Sequence, residues 1–188
     1  MKTKKAISLL LIICLSVLIF AGCSKPEPPA GGESPSIGVS WSLKLATTDL
    51  DGNTVDSSAF FENTLTVFNV WATWCPPCVA EIPELQIISE IFAEQGVQIV
   101  GVLQDGISEE GVIDSKTVEA AKLLLSEAGV SYLNILPDST ITEEFISKMQ
   151  FFPTTFFVDS HGRVIQVEVG AKSARDWEAI INGVLETL

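Results

Sequence analysis

A chain of 188 residues has room for one ordinary domain, and a hydrophobic fraction of 47% leaves enough apolar residues for a core even though the N-terminus inflates it. With 24 acidic residues against 11 basic ones the formal net charge is −13, which repels nucleic acid and anionic lipid head groups and argues against either as a partner surface. The excess of acid is read as a solubility device.

The chain opens on a basic segment, Met1-Lys2-Thr3-Lys4-Lys5, followed by an apolar stretch from Ala6 to Phe20 broken only by Ser8 and Ser16. Ala21-Gly22 then precede Cys23, the pattern of a secretory signal with a small-residue cleavage point. A cysteine directly after small residues resembles the signals of bacterial lipoproteins, in which that cysteine is lipidated and begins the mature chain. Phe20 stands where that pattern usually has Leu. The expectation is a signal peptide over 1–22, lipidation at Cys23, and a domain held outside the cytoplasm on the bacterial cell membrane. An uncleaved anchor or plain secretion would put the domain on the same side. Cleavage before Cys23 removes three lysines and no acid, moving the charge from −13 to −16.

Ser24 to Gly38 is rich in Pro, Gly and Ser and has no apolar periodicity, so 23–38 reads as a linker. Its Pro-rich part spans about 3.1 Å per residue when extended, which gives clearance from a membrane. The folded domain is expected over 39–188. Trp41 to Leu45 alternates apolar and polar residues, and Asp51-Gly52-Asn53 is a turn before Thr54-Val55, which predicts a β-hairpin. Ser57 to Phe61 reads as a short helical turn, and Leu65 to Val70 as a buried strand. A helix follows to about Glu94, with Val79, Ile82, Leu85, Ile88 and Phe92 at helical spacing, Pro83 expected to kink it and Gly96 to stop it. Val97 to Leu103 is the next strand, Lys116 to Ala128 a helix ended by Gly129, Tyr132 to Leu136 a strand, and Thr140 to Met149 a helix. A second hairpin runs over Thr154–Val158 and Arg163–Val169. Ser173 caps a last helix to Leu188, with Trp177, Ile180, Ile181 and Val184 facing inward. This order predicts an α/β fold with a mixed central sheet and helices on both faces.

Of the four cysteines, Cys14 lies in the apolar signal and Cys23 is the lipidation candidate, leaving Cys75 and Cys78 to the folded domain. A bridge over so short a loop constrains the unfolded chain by only roughly 2 kcal/mol, so a redox role explains the pair better than a stapling one. A thiolate is the attacking species, and a cysteine at a helix start is offered unpaired N–H groups and the positive end of the helix dipole. Pro76-Pro77 suits the first helical turn, where no N–H partner is needed. Sequence therefore predicts Cys75 as nucleophile and Cys78 as resolving thiol. A zinc site would need about four ligands where the domain supplies two cysteines and the distant His161, which reads as a solvated turn residue. No metal and no cofactor beyond the cysteine pair is expected.

Val70-Trp71-Ala72-Thr73-Trp74-Cys75-Pro76-Pro77-Cys78 resembles the active site of thioredoxin-like proteins, specifically the extracytoplasmic TlpA/ResA-like thiol–disulfide oxidoreductases. The likeness extends over most of 39–188. It implies a thioredoxin-like fold, to which the N-terminal hairpin and a central insertion over 111–136 are additions. Pro83 matches the family's kink proline, and Phe152-Pro153-Thr154 its cis-proline segment, so the resemblance implies a cis Pro153 against Cys75 and a substrate chain pairing with Phe152. Trp74 is expected to shield the disulfide and contact substrate. Cytosolic thioredoxins carry a buried aspartate six residues before the first cysteine; this chain has Asn69, which cannot titrate. Several ResA-like proteins use a glutamate three residues after the second cysteine. Glu81 stands there, as a candidate to take the proton of Cys78.

The resemblance implies protein disulfides as substrates, re-reduction by a CcdA/DsbD-type membrane thiol carrier, and apocytochrome c as one client class. Other readings are an electron donor to a methionine sulfoxide reductase or peroxidase, a peroxidase of peroxiredoxin type, and a redox-silent binding lipoprotein. The peroxidase would need Pro and Thr where Phe68 and Ala72 stand, and the intact cysteine pair argues against redox silence.

Overall fold

A computed structural model describes residues 45–108 and 110–188. The expected signal peptide, Cys23, the linker and residues 39–44 lie outside the described residues. The elements in order are β1 (Ala46–Thr48), β2 (Thr54–Asp56), α1 (Ser58–Phe61), β3 (Leu65–Trp71), α2 (Pro76–Phe92), β4 (Val97–Leu103), α3 (Ser115–Glu127), β5 (Leu133–Ile135), α4 (Ser139–Glu144), β6 (Thr154–Asp159), β7 (Val164–Val169) and α5 (Ala174–Leu185). Among the described residues five strands form the main sheet, in the order β5-β4-β3-β6-β7. β3, β4 and β5 run parallel, and β6 is antiparallel to both β3 and β7. The mixed sheet expected from the order of elements is therefore present.

Every residue of the central strand β3 is buried, because helices cover the sheet on both faces. Strand alternation divides its side chains. Leu65 and Val67 pack with Leu85, Ile88 and Phe92 of α2 and with Trp177, Ile181 and Val184 of α5. On the same face Trp71 meets Val118, Ala121 and Leu125 of α3. Phe68 and Val70 point the other way, into Phe60 of α1, Val55 of the hairpin, Ile141 of α4 and Phe145 at its end. The two faces thus have different duties. One carries the cysteine helix, and the other anchors the sheet on packed aromatic rings.

Two expected elements differ in their bounds. The expected strand Trp41–Leu45 lies outside the described residues except for Leu45, and the described strand that leads into the hairpin turn is Ala46–Thr48. The turn sets this register: the Asp49 carboxylate accepts from the N–H groups of Asp51 and Asn53 at 2.9 and 2.8 Å, and Gly52 takes φ +85°, so β1 has to end at Thr48. The helix expected over 140–149 stops at Glu144 and gives way to a 3₁₀ turn, Ile146–Lys148. Between them Phe145 is wedged against the rings of Phe68 and Phe156, with centroids 5.5 and 4.4 Å away, and that packing outweighs continued helix. The last helix ends at Leu185, short of Leu188, with no basic residue in its final turn to favour extension. Elsewhere local signals hold. Gly96 ends the turn after α2 at φ +70°, and Ser173 accepts from Asp176 N to cap α5.

Candidate active site

Strand β3 delivers the chain to the C-terminal edge of the sheet, where Cys75 N donates to Ala72 O at 3.1 Å and turns it into α2. Cys75 is the N-cap of that helix, and its Sγ accepts from the N–H of Cys78 at 3.3 Å. Pro76 and Pro77 fill the first two helical positions. Cys75 and Cys78 are joined as a disulfide, their Cα atoms 5.3 Å apart. The structure is that of the oxidised protein. Both cysteines are 3% exposed or less, packed among Trp71, Ile82, Leu103 and Leu136.

The inward stripe of α2 was expected to begin at Val79, but Val79 is only half-buried. Carried back from Ile82 and Leu85 at helical spacing, the stripe falls on Cys78 and Glu81, both buried. The core-facing positions at the start of the helix are therefore taken by a cysteine and a glutamate, where the later turns carry apolar side chains. Pro83 sits on the exposed side, and the helix continues through it.

Glu81 is 2% exposed and held by donors from three other segments. Its Oε1 accepts from Lys172 N at 2.7 Å and Trp177 Nε1 at 2.9 Å, and its Oε2 from Asn69 Nδ2 at 3.1 Å. Asn69 also donates to Thr155 Oγ1 at 2.9 Å. Burial pushes the carboxyl up, while the hydrogen bonds from Lys172, Asn69 and Trp177 and the Lys172 charge hold it back. The half-buried Tyr132 hydroxyl is pushed up as well, by desolvation and then by the charge on Glu81. The Lys172 ammonium lies 4.9 Å from the Trp177 ring and 3.3 Å from Glu168, so it stays outside the pocket it helps to close. Asn69 thus acts as a donor to the buried acid, where a second carboxylate would repel it.

Trp74 is 61% exposed beside the cysteines, and its ring meets the edge of Phe152 at 5.2 Å. The Phe152–Pro153 peptide is cis, Pro153 is buried, and Phe152 packs on the cluster that contains Cys75 and Cys78. The residues expected to bind substrate are therefore gathered around the cysteine pair. His161 is exposed; its backbone N–H donates to Asp159 in the β6–β7 turn, in line with a turn role.

Sequence reasoning missed Asp105. Its carboxylate accepts from Thr73 N at 3.0 Å and Thr73 Oγ1 at 2.6 Å, pinning the loop two residues before Cys75. The pairing of Trp71 with Leu103 sets the two strand ends level, so Asp105 and Thr73 meet just beyond them. A polar residue after a strand carries no such signal without the register. Trp177 and the Lys172 backbone N–H were missed as partners of Glu81 for the same reason, since both come from the far end of the chain.

The arrangement offers a helix-start sulfur, a second thiol one turn on, and a buried acid on the same inward stripe. Such a set can take up and release a disulfide. The Redoxin family profile matches residues 29–185. A curated relative, the thiol-disulfide oxidoreductase ResA of Oceanobacillus iheyensis, is 28% identical over 182 residues, covering 94% of this chain and 86% of that protein. The thiol:disulfide interchange protein DsbE of Vibrio cholerae is 31% identical over 137 residues, covering 73% and 66% respectively. Among solved structures, a DsbF homologue from Corynebacterium diphtheriae superposes with a TM-score of 0.60 at 20% identity, over 86% of this chain and 99% of that one. A thioredoxin-family thiol:disulfide interchange protein from Chlorobium tepidum gives 0.59 at 24% identity, over 74% and 94%. Fold, cysteine pair and relatives agree: this chain belongs to the Redoxin family, as a thiol–disulfide oxidoreductase of the ResA/DsbE type with a thioredoxin-like fold.

Proposed function

We propose that this oxidoreductase works outside the cytoplasm, tethered through a lipid on Cys23, and reduces protein disulfides with Cys75 and Cys78. The observation that supports this most is Cys75 at the N-cap of α2 with an N–H already directed at its sulfur. In the reduced protein the Cys75 thiolate attacks one sulfur of a client disulfide. A mixed disulfide forms and the first client thiol leaves with a proton. Cys78, giving its proton to Glu81, then attacks Cys75 Sγ and displaces the second client sulfur, which takes that proton from Glu81 as it leaves. Two electrons pass to the client, its two thiols take one proton from solvent and one by way of Glu81, and the Cys75–Cys78 disulfide remains. Trp74, Phe152 and Pro153 receive the client chain. A CcdA/DsbD-type membrane carrier restores the dithiol, and cysteine pairs of apocytochrome c are one client class in keeping with ResA-like relatives.

Trapping tests the reading. A Cys78→Ala variant should retain clients on Cys75 as mixed disulfides in the membrane fraction, and mass spectrometry would name them. A variant that traps nothing, or an equilibrium with glutathione that shows a strongly oxidising pair, would end the reductase assignment. Cys23→Ser should move the protein from membrane to soluble fraction.

A further inference from the structure

A lysine on a loop normally reaches into water. Lys172, in the turn between β7 and α5, instead folds back over its own turn, with its side chain only 17% exposed. Its Nζ donates to Val169 O and Gly170 O, both at 3.1 Å, and lies 3.3 Å from Glu168 Oε2. The three donors of the ammonium thus have acceptors within four residues along the chain.

The same residue bears on Glu81 in three ways. Closing the turn fixes the Lys172 peptide, whose N–H donates to Glu81 Oε1 at 2.7 Å. The ammonium stands 4.9 Å from the centroid of the Trp177 ring, and that ring donates its own N–H to the same oxygen at 2.9 Å. A cation on the face of an indole draws on its π electrons and makes the N–H a stronger donor. The charge of Lys172 also lowers Glu81, against the burial that raises it. The other titratable groups around the acid are Cys78 and Glu84, one turn to either side on α2, Tyr132 ahead of β5, Glu168 on β7 and Asp176 in the first turn of α5. β3 and β6 present the neutral Asn69 and Thr155. Arg175 is exposed, and its charge acts on Asp176.

Resting on the reading of Glu81 as the group that takes the proton of Cys78, we propose that Lys172 is a positioning residue of the release step. It acts through Glu81 and not on the sulfurs. Its ammonium fixes both donors on Oε1 and offsets the burial of the carboxylate, so Glu81 is charged and able to accept when Cys78 attacks the mixed disulfide. Without that charge the carboxyl keeps its proton to higher pH, and release stalls in acid while capture by Cys75 goes on.

The test follows the full chain, reduced, as it reacts with oxidised glutathione between pH 5 and pH 8. Acid quenching and mass spectrometry count the dithiol, glutathione-bound and disulfide forms, which separates capture from release. In Lys172→Met, release should be about tenfold slower than in the wild type at pH 5 and equal to it by pH 8. Capture should match the wild type throughout, which also shows that the variant is folded. Lys172→Arg, which keeps the charge, should restore release at pH 5. In a Glu81→Gln chain, adding Lys172→Met should change release by less than about twofold. Slowing of capture and release alike at every pH, or the same tenfold loss in the Glu81→Gln chain, would overturn the role of Lys172 and leave Glu81 as the proton acceptor. Release unaffected by Glu81→Gln itself would remove that reading, and the role of Lys172 with it.

Discussion

At Glu81 a buried acid is kept by polar contacts that stop short of full compensation. The carboxyl titrates above its ordinary 4.5 in the folded chain, chiefly through burial. Between 4.5 and that raised value the native state binds more protons than the unfolded one. This contribution to stability is therefore full below 4.5 and is lost as pH rises through the window. Asp159 has the opposite sign. Burial raises it, but the N–H groups of Arg163 and His161 and the Arg163 guanidinium outweigh that and hold it below 3.8. Its contribution is present above 3.8 and is lost as pH falls through the lowered value. Glu81→Gln should flatten the fall in the urea midpoint above pH 4.5. Near neutrality it should slow release of client from the mixed disulfide by about 10²-fold while leaving the first attack by Cys75 unchanged. Stopped-flow kinetics with separate capture and release phases would check this, and equal slowing of both phases would contradict the assigned role. The amide oxygen can still accept from Lys172 and Trp177, but its NH2 group then faces the Asn69 Nδ2 donor, so a baseline cost of about 1–3 kcal/mol is expected.

Between elements, the contact of β4 with β5 is governed by a glycine. A Cβ built on Gly101 would stand 1.9 Å from Asn134 Oδ1 and 3.1 Å from Trp71 Nε1. Those two groups hydrogen-bond to each other at 3.1 Å and join β5 to the end of β3 that leads into the cysteines. Strand glycines commonly mark such a close approach. Gly101→Ala should destabilise by about 1–3 kcal/mol through overpacking. Adding Asn134→Ala should recover part of the loss, because it removes the clashing oxygen. Urea unfolding of the single and double variants reads both effects. A double variant no better than the single one would show that the clash is not with Asn134.

Across the whole molecule, the proposed reaction opens the Cys75–Cys78 disulfide in each turnover, so the fold should not depend on that bond. The bridge closes a loop of only three residues' separation, so it contributes roughly 2 kcal/mol on the chain-entropy account. A domain with helices packed on both faces of a five-stranded sheet holds most of its stability in that core. Reduced protein should therefore still unfold cooperatively, with a stability lower by roughly that amount. Urea titrations with and without reductant would show it, and loss of the cooperative transition on reduction would refute it.

Periodicity and caps made most of this fold legible from sequence, because they are local. β3, β4, β6, β7 and α2 lie within a few residues of where alternation, Gly96, Ser173 and the Asp159 turn put them. The cysteine pair was legible for the same reason: two thiols and two prolines in consecutive positions define a helix start without help from elsewhere. Glu81 could be named from its spacing, but its burial could not, since that depends on Asn69 from a strand and on Lys172 and Trp177 from the far end of the chain. Asp105 gave no signal, because only the register of β3 on β4 brings it to Thr73. The break at Phe145 was hidden as well, being decided by aromatic rings from two strands. The sequence by itself determined the cysteine pair at a helix start and the order of elements that carries it. The tertiary structure alone decided what surrounds those sulfurs, because hydrogen bonds and ring contacts between segments some ninety residues apart exist only once the sheet has formed.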